Sequence, residues 1–318
     1  MGVFKIGVLD FETVGQGSAE GSRLAGNAKP YNRTKMFTDA IKAAGHIPVV
    51  YKVEKCQMFF GEKAVILYNN KKIKGCDVLI PRIDFSLGID LEISIIKQFQ
   101  LMGIPVLNQY LPISRAKNKL RTLQILTRSK IPVPKTIIAR RIQDVDEAVK
   151  RIGGYPVVIK VPFGSYGREV ALLESRRSLY SALDILLRRD TTSIFLVQEY
   201  VAESDNCDYR AFVVGDKVIA SMKRQARAGD FRSNLELGGT ATSIALSDDE
   251  QKIAVRAAKS VGLSICGVDL LHSKNGPVVM EINANPGLKG ITDASGVDVA
   301  GEIIKYAAKV AHQHKTQK

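Results

Sequence analysis

The stretch that decides the fold lies near the C-terminus and reads Gly267-Val-Asp-Leu-Leu-His-Ser-Lys-Asn-Gly-Pro-Val-Val-Met-Glu-Ile-Asn-Ala-Asn-Pro286. Two largely apolar runs flank the segment Lys274-Asn275-Gly276. A three-residue loop with glycine in the left-handed position is a common closure for two antiparallel strands. The stretch therefore predicts a β-hairpin, in a register that pairs Ser273 with Pro277.

Three polar side chains of this hairpin predict a metal site. The register pairs Asp269 with Glu281, and Asn283 lies on the same face as Glu281 because side chains alternate along a strand. Two carboxylates that face each other across antiparallel strands repel, and a bound cation removes that repulsion. Two carboxylates and an amide oxygen are hard ligands that suit Mg²⁺. The alternative is that one or both acids point to solvent with a lysine or arginine between them.

An earlier strand delivers a lysine into a loop that contains glycine. Residues 157–167 read Val-Val-Ile-Lys-Val-Pro-Phe-Gly-Ser-Tyr-Gly, so Lys160 precedes Gly164 and Gly167. Glycines let backbone N–H groups turn toward phosphate oxygens, and the lysine adds positive charge. The spacing is not that of a P-loop. An ordinary surface lysine beside a turn is the alternative interpretation.

Two further segments have the polarity expected of a nucleotide site. Residues 196–201 read Leu-Val-Gln-Glu-Tyr-Val, where an apolar strand leads into acidic sequence, and backbone amides at a strand end together with a carboxylate can bind adenine or ribose. Residues 229–239 are polar and rich in glycine, with Arg232 among them, as in loops that clamp an anionic intermediate. The alternatives are an ordinary strand end and a flexible surface loop.

The N-terminal part of the chain alternates short apolar runs with amphipathic segments. The predicted strands are 4–9, 47–51 and 77–80, the last stopped by Pro81, and the predicted helices are 34–44 and 91–102. This alternation favours a parallel sheet with helices on its faces, that is, a small doubly wound α/β domain over residues 1–112. The polar stretch of residues 13–33 is long for a connection in such a unit, so we interpret it as a substrate loop or as plain flexibility.

From residue 113 onward the pattern changes to neighbouring strands joined by tight turns, which favours antiparallel pairing. A helix over 117–129 comes first and a helix over 299–311 comes last. The predicted strands between them are 157–161, 194–197, 211–214, 218–222, 266–271 and 278–282. The fold class is therefore α/β followed by α+β.

Composition narrows the class of protein. Apolar residues make up 45% of 318 residues, and Lys plus Arg outnumber Asp plus Glu by 46 to 32, a formal charge of +14 that favours anionic partners. Trp is absent, so the stacking platforms of a single-strand binder are not evident. The four cysteines are far apart, and the N-terminal apolar run is too short for a signal peptide or membrane span. We expect a cytoplasmic protein with idle thiols and no membrane anchor.

Taken in series, these segments resemble the ATP-grasp superfamily, and more closely the RimK-type α-L-glutamate ligases. The resemblance covers nearly the whole chain. The segments that carry it are Val78-Leu-Ile-Pro-Arg-Ile, Ala116-Lys-Asn-Lys-Leu-Arg-Thr-Leu-Gln, Val197-Gln-Glu-Tyr, Gly229-Asp-Phe-Arg-Ser-Asn and Met280-Glu-Ile-Asn-Ala-Asn-Pro-Gly-Leu. The resemblance implies that residues 113–318 form an ATP-grasp domain, with a central subdomain over 113–200 and a C-terminal subdomain over 201–318 that carries the metal site.

The resemblance also implies roles for individual residues. Arg210 would face the transferring phosphoryl group together with Lys160, and two Mg²⁺ or Mn²⁺ ions would bind Asp269, Glu281 and Asn283. The residues implied to hold ATP are Lys119, Lys160, Gly164, Gly167, Glu199, Tyr200, Asp208, Arg232, Ser233 and Asn234.

The implied reaction is ATP-dependent joining of a carboxylate to the amine of glutamate or another amino acid, by way of an acyl phosphate and with release of ADP. The acceptor would be an acidic peptide, a ribosomal protein or a growing poly-α-glutamate chain, and the enzyme a dimer or tetramer. No side-chain nucleophile is needed, and no convincing Ser-His-Asp or Cys-His set is present. One departure concerns the acceptor: residues 234–239 read Asn-Leu-Glu-Leu-Gly-Gly, where the family usually has a His-Arg pair before the glycines.

Two other interpretations remain open. The first is an ATP-grasp ligase that joins an amino acid to a small-molecule carboxylate. The second is a non-catalytic module that binds the ribosome or RNA through its positive charge.

Overall fold

The structure is a computed structural model that describes residues 2–11, 32–82, 89–162, 170–189 and 194–317. The helices are α1 (Arg33–Ala43), α2 (Ile89–Leu101), α3 (Tyr110–Lys117), α4 (Lys119–Arg128), α5 (Val145–Ile152), α6 (Arg176–Arg189), α7 (Asp248–Val261), α8 (Lys289–Ser295) and α9 (Val299–Thr316). The strands are β1 (Lys5–Asp10), β2 (Ile47–Lys52), β3 (Cys56–Phe59), β4 (Val65–Tyr68), β5 (Lys71–Lys72), β6 (Val78–Arg82), β7 (Thr136–Ala139), β8 (Val157–Lys160), β9 (Val170–Leu173), β10 (Phe195–Glu199), β11 (Cys207–Val214), β12 (Lys217–Gln225), β13 (Thr240–Ser243), β14 (Ile265–Ser273) and β15 (Gly276–Asn283).

The N-terminal sheet is parallel, as predicted, with strand order β2-β1-β6. Alternate residues of β1 enter two different cores: Ile6 and Val8 pack with α1, and Leu9 packs with α2. The first of these cores also contains Ile303 and Ala307 of α9. The C-terminal helix therefore covers one face of the N-terminal sheet, which the division of the chain near residue 112 did not anticipate.

Several predicted boundaries are wrong, each for a local reason. The third strand continues through Pro81 to Arg82, because the nitrogen of Pro81, like the N–H of Leu79 that bonds to Pro105, points away from β1, so the ladder to β1 needs no donor there. The helix predicted over 117–129 begins two residues later than predicted, because α4 spans Lys119–Arg128 and Lys117 ends the separate helix α3. Asn118 separates them, since its side chain accepts the N–H groups of Leu120 and Arg121 and begins α4.

A small antiparallel sheet of β3, β4 and β5 lies in the N-terminal part, and two larger antiparallel sheets follow residue 113, as the tight turns predicted. Their strand orders are β7-β10-β8-β9 and β13-β12-β11-β14-β15. One face of the five-stranded sheet packs on α7 through a fully apolar core. The other face is apolar where α8 and α9 cover it. Its uncovered part carries charged side chains as well as Leu271, and it faces a cavity.

The hairpin of β14 and β15 differs from its prediction in two ways that cancel. The ladder pairs Ser273 with Gly276, so two residues, not three, lie at the tip. An irregularity then leaves Met280 unpaired on β15, and the register moves by one residue. Asp269 therefore pairs with Glu281, as predicted. The predicted left-handed glycine is also present, with φ of 101° at Gly276.

Two buried side chains connect the N-terminal domain to this hairpin. The amide of Asn108 donates to the carbonyl oxygens of Ile265 and Ala284, at 2.6 and 3.1 Å, and its oxygen accepts the N–H groups of residues 264 and 265. Arg82 donates to the carbonyl oxygen of Pro286 at 3.2 Å. The segment that follows β15 is thus fixed from the N-terminal side.

Two further features of the described residues concern the cysteines and the length and polarity of the helices. The four cysteines are free thiols, and burial raises the pKa of Cys56 and of Cys76 to about 12. None of the helices described is both long enough and apolar enough to cross a bilayer.

We expect Asn108→Ala to lower the free energy of unfolding by roughly 2–4 kcal/mol, because it deletes four hydrogen bonds and leaves buried backbone groups without partners. Urea unfolding measures this change. Asn275→Ala, at the exposed tip of the β14–β15 hairpin, is the matched control and should change the value by less than about 0.5 kcal/mol. Equal effects of the two substitutions would contradict the role assigned to Asn108.

Candidate active site

A cavity of about 830 Å³ lies between the two antiparallel sheets. Every predicted site residue within the described ranges lines it, whereas Gly164 and Gly167 lie outside those ranges. The lining residues among the predictions are Lys119, Lys160, Glu199, Tyr200, Asp208, Arg210, Arg232, Ser233, Asn234, Asp269, Glu281 and Asn283. Residues that are scattered over the sequence thus face one space.

The floor of the cavity is a row of charged side chains on three adjacent strands. Arg210 on β11 pairs with Asp269 on β14, which in turn pairs with Glu281 on β15. Directly paired residues of an antiparallel sheet project from the same face with Cβ atoms about 5 Å apart. The register alone therefore collects a guanidinium and two carboxylates. Asn283 projects from the same face two residues beyond Glu281.

The two carboxylates have different surroundings. Asp269 is only 2% exposed, whereas Glu281 is open to the cavity. The side-chain oxygen of Asn283 accepts the N–H of Asn285 at 2.9 Å, which leaves it a second lone pair. No group of three or more His, Cys, Asp or Glu among the described residues could hold a metal. Two carboxylates and an amide oxygen that converge on one polar cavity nevertheless fit Mg²⁺, which keeps several waters and needs few protein ligands.

Two arginines bind Asp269. Arg210 donates through Nε and Nη2 to its two oxygens, both at 2.7 Å, and Arg224 donates through Nη2 at 2.8 Å. Burial alone would raise the pKa of Asp269, but the adjacent guanidinium groups outweigh burial and hold the pKa below its usual range. Asp269 is therefore charged, and an arginine lies beside the predicted ligand, as the alternative interpretation allowed.

Arg224 is a buried site residue that sequence reasoning missed. It is 3% exposed, and it donates through Nε and Nη2 to both oxygens of Asp208 at 2.6 Å. The hydroxyl of Ser233 also donates to Asp208. Asp208 and Ser233, predicted to contact nucleotide, thus line the cavity while they also hold Arg224 in place.

A β-bulge explains why Arg224 was missed. The turn at Gly215-Asp216 pairs Val214 with Lys217, and an unbroken ladder would place Lys223 opposite Asp208. The register shifts between Phe212 and Val213, and this shift brings Arg224 to Asp208 instead. The turn sequence could have predicted a cation near Asp208 but not which residue supplies it.

The opposite wall of the cavity carries the predicted phosphate lysines. The ammonium group of Lys160, at the end of β8, donates to the side-chain oxygen of Gln198 at 2.7 Å. The pKa of Lys160 is lowered to about 8, chiefly by burial and in smaller part by the nearby Lys119, although Glu281 and Asp269 oppose the shift. Lys119 begins α4, where its N–H donates to the carbonyl oxygen of Pro162 at 3.3 Å.

The predicted adenine contacts lie where β10 ends. The carboxylate of Glu199 accepts the N–H of Lys135 at 2.9 Å, and the hydroxyl of Tyr200 donates to the side chain of Asn206 at 2.6 Å. Burial raises the pKa of Tyr200. Both side chains are held by protein partners and face the cavity at one edge.

The loop over residues 229–239 forms a further wall. Arg232 donates to Asp230 through Nε and Nη2, and this pairing lowers the pKa of Asp230 to about 2. A Cβ added at Gly239 would lie 2.7 Å from the carbonyl oxygen of Ser233, so only glycine fits there. Asn234 lines the cavity at the start of a short turn. Of the polar stretch over residues 13–33, Arg33 also lines the cavity, and residues 13–31 lie outside the described ranges.

Comparison with known proteins agrees with this arrangement. Residues 24–113 match the RimK PreATP-grasp domain, and residues 116–307 match the RimK-like ATP-grasp domain. The chain is 41% identical over 297 residues to a probable alpha-L-glutamate ligase of Thioalkalivibrio sulfidiphilus, which covers 92% of this chain and 97% of that protein. It is 42% identical over 294 residues to one of Pseudoalteromonas translucida, with 92% and 96% covered.

Solved structures share the fold at lower identity. The ATP-grasp ligase PsnB, complexed with its minimal precursor, aligns with a TM-score of 0.72 and 20% identity over 96% of this chain and 98% of that chain. D-alanine–D-alanine ligase from Bacillus anthracis, complexed with ATP, aligns with a TM-score of 0.69 and 17% identity over 99% and 100%. With both domain matches and the close relatives, the chain belongs to the RimK family of ATP-grasp ligases.

Proposed function

We propose that this protein uses ATP and Mg²⁺ to join the amine of an amino acid, glutamate in the first instance, to a carboxylate acceptor. The observation that carries the proposal is that two carboxylates and two lysines face each other across one cavity. Arg210, Asp269 and Glu281 lie in one row of the floor, and Lys160 and Lys119 line the facing wall. Carboxylates that can bind a cation and lysines that can bind phosphate are the groups needed to hold a nucleoside triphosphate.

Asp269, Glu281 and Asn283 would hold the divalent metal. By resemblance to the family, the metal would be Mg²⁺ or Mn²⁺, and two ions would bind. When bound, the metal would neutralise negative charge on the phosphates. The ATP-grasp ligase PsnB, which shares this fold, has been solved with Mg and ADP, which supports binding of a nucleotide and a metal here.

The chemistry requires an activated carboxylate, because an oxide anion is a poor leaving group. An oxygen of the acceptor carboxylate attacks the γ-phosphorus of ATP, the bond to the β-phosphate oxygen breaks, and an acyl phosphate and ADP form. The neutral amine then attacks the acyl carbon, loses a proton, and phosphate leaves. Lys160 and Arg210 would neutralise charge on the transferring group, and the cavity would align the reactants.

The relatives named probable alpha-L-glutamate ligases favour glutamate as the amino acid. The acceptor we favour is a peptide or protein C-terminus or a poly-α-glutamate chain, since the formal charge of +14 suits an acidic product or a ribosomal partner. We also expect a cytoplasmic enzyme that forms a dimer or tetramer.

One observation favours a second candidate, a ligase for a small-molecule carboxylate. Leu235 and Glu236 line the cavity in the loop where the family usually has a His-Arg pair. A leucine and a glutamate in place of a histidine and an arginine make this part of the cavity wall less positive for the acceptor. A non-catalytic RNA-binding module is less favoured, because a module of that kind has no need for paired carboxylates opposite lysines.

Incubation with ATP, Mg²⁺ and glutamate should release ADP, not AMP, and yield α-linked oligomers or a modified peptide. A screen of the twenty amino acids for ADP release, with mass spectrometry of the products, measures this directly. ADP release with a different amino acid would favour the small-molecule ligase. No turnover with any amino acid, together with tight and salt-sensitive RNA binding, would contradict the ligase and support the binding module.

Glu281→Gln should lower turnover by about a hundredfold or more, because a metal supplies several kcal/mol of charge stabilisation and each 1.36 kcal/mol is a tenfold change in rate. Steady-state ADP release measures the loss, and circular dichroism checks the fold. Glu203→Gln makes the same change of charge outside the cavity lining, next to Lys274, and should keep turnover near that of the parent. Full activity of Glu281→Gln would refute its assignment as a metal ligand.

A further inference from the structure

The carboxylate of Asp269 is almost fully engaged by the protein itself. A carboxylate offers about four lone-pair sites, and three N–H donors from Arg210 and Arg224 bind Asp269. A divalent cation at Asp269 needs an oxygen lone pair with no guanidinium close to it. A divalent cation placed on the oxygens that Arg210 already binds would be strongly repelled by that guanidinium group at these distances.

The two arginines differ in how they are held. Arg224 has a side chain that is 4% exposed, and it bridges Asp208 and Asp269. Asp208 is in turn bound by Ser233. Moving Arg224 would leave a buried carboxylate without its main partner, which is costly.

Arg210 is held at one place only. Among the described residues its guanidinium donates to Asp269 alone, and 12% of its side chain is exposed on the cavity side. Gly267 lies next to it, because a Cβ added there would be 3.2 Å from Nε of Arg210. The absence of a side chain at this position leaves room for the arginine, and the contact with Asp269 is the one that must break if Arg210 turns into the cavity.

The charges of this group balance. Burial raises the pKa of Asp208, but the two hydrogen bonds from Arg224 favour its anionic form. Asp208 and Asp269 thus supply two negative charges, and Arg210 and Arg224 supply two positive charges, so the group is neutral before any ligand arrives. A neutral group attracts a divalent cation only weakly. If Arg210 leaves, the group carries one negative charge, to which the open Glu281 adds a second.

We propose that Arg224 is a positioning residue that permanently holds Asp269, whereas Arg210 is an exchangeable counter-ion that must leave Asp269 before a divalent cation can bind there. This inference rests on the proposed metal site. The phosphates of the nucleotide provide the new partner for Arg210. The metal therefore binds weakly to the nucleotide-free enzyme and tightly in its presence, and the coupling is reciprocal.

The test is a titration of nucleotide-free protein with Mn²⁺, followed by electron paramagnetic resonance of the free ion. Arg210→Gln should tighten Mn²⁺ binding about tenfold or more, because the charge-assisted bonds that the cation must displace are gone. ADP should strengthen Mn²⁺ binding to the parent protein and have much less effect on the variant.

The matched control is Arg232→Gln. It removes the same charge from the same cavity, but Arg232 is paired with Asp230 and not with Asp269. We expect it to change Mn²⁺ affinity less than about twofold, since a screened charge that lies off the ligand contributes little. This control separates release of Asp269 from a general change in potential.

Arg224→Gln should weaken Mn²⁺ binding, since Asp269 would lose its fixed orientation, and Arg224→Lys should restore part of it. Circular dichroism accompanies both titrations. If neither variant folds, the comparison of Arg210→Gln with Arg232→Gln still decides the exchange.

Unchanged or weaker Mn²⁺ binding by Arg210→Gln would overturn the exchange while leaving the proposed function intact. Equal tightening by Arg210→Gln and Arg232→Gln would overturn it as well. No Mn²⁺ binding by the parent protein, even with ADP, would overturn both the exchange and the metal site of the proposed function.

Discussion

The hydrogen-bond register of three adjacent strands is the constraint on which the site depends. It sets Arg210, Asp269 and Glu281 side by side on the polar face of the five-stranded sheet. Backbone pairing, and not the side chains, holds two carboxylates at a spacing where they repel. The sheet tolerates this because its other face is buried on α7 and because arginines neutralise Asp269. A shift of the register by one residue would turn each of these side chains to the wrong face.

The remainder of the fold supports that row. The four-stranded sheet brings Lys160 to the facing wall of the cavity. The N-terminal domain contributes Asn108 and Arg82, which bind backbone groups where β14 begins and just after β15 ends. Helix α9 returns to cover the N-terminal sheet, so the two ends of the chain share one core. The domains are thus mechanically linked at the hairpin that carries Glu281.

Much of this arrangement could be predicted from the sequence, because apolar periodicity and turn residues are local signals. The pairing of Asp269 with Glu281 was predicted correctly even though the loop was one residue too long, since a bulge at Met280 compensated. A second bulge, between β11 and β12, shifted the register by one residue with no error in the predicted turn to offset it, so Arg224 was missed. Bulges depend on twist and packing across the whole sheet and leave little trace in local sequence. The packing of α9 on the N-terminal sheet likewise leaves little trace in local sequence, because it depends on contacts between the two ends of the chain.

The most direct test of the central claim is a crystal structure with Mg²⁺ and a non-hydrolysable ATP analogue. The account predicts a metal ion about 2.1 Å from oxygens of Asp269, Glu281 and Asn283, beneath the phosphates that Lys160 contacts. Magnesium bound elsewhere, with the two carboxylates turned apart and the cavity empty of nucleotide, would contradict it.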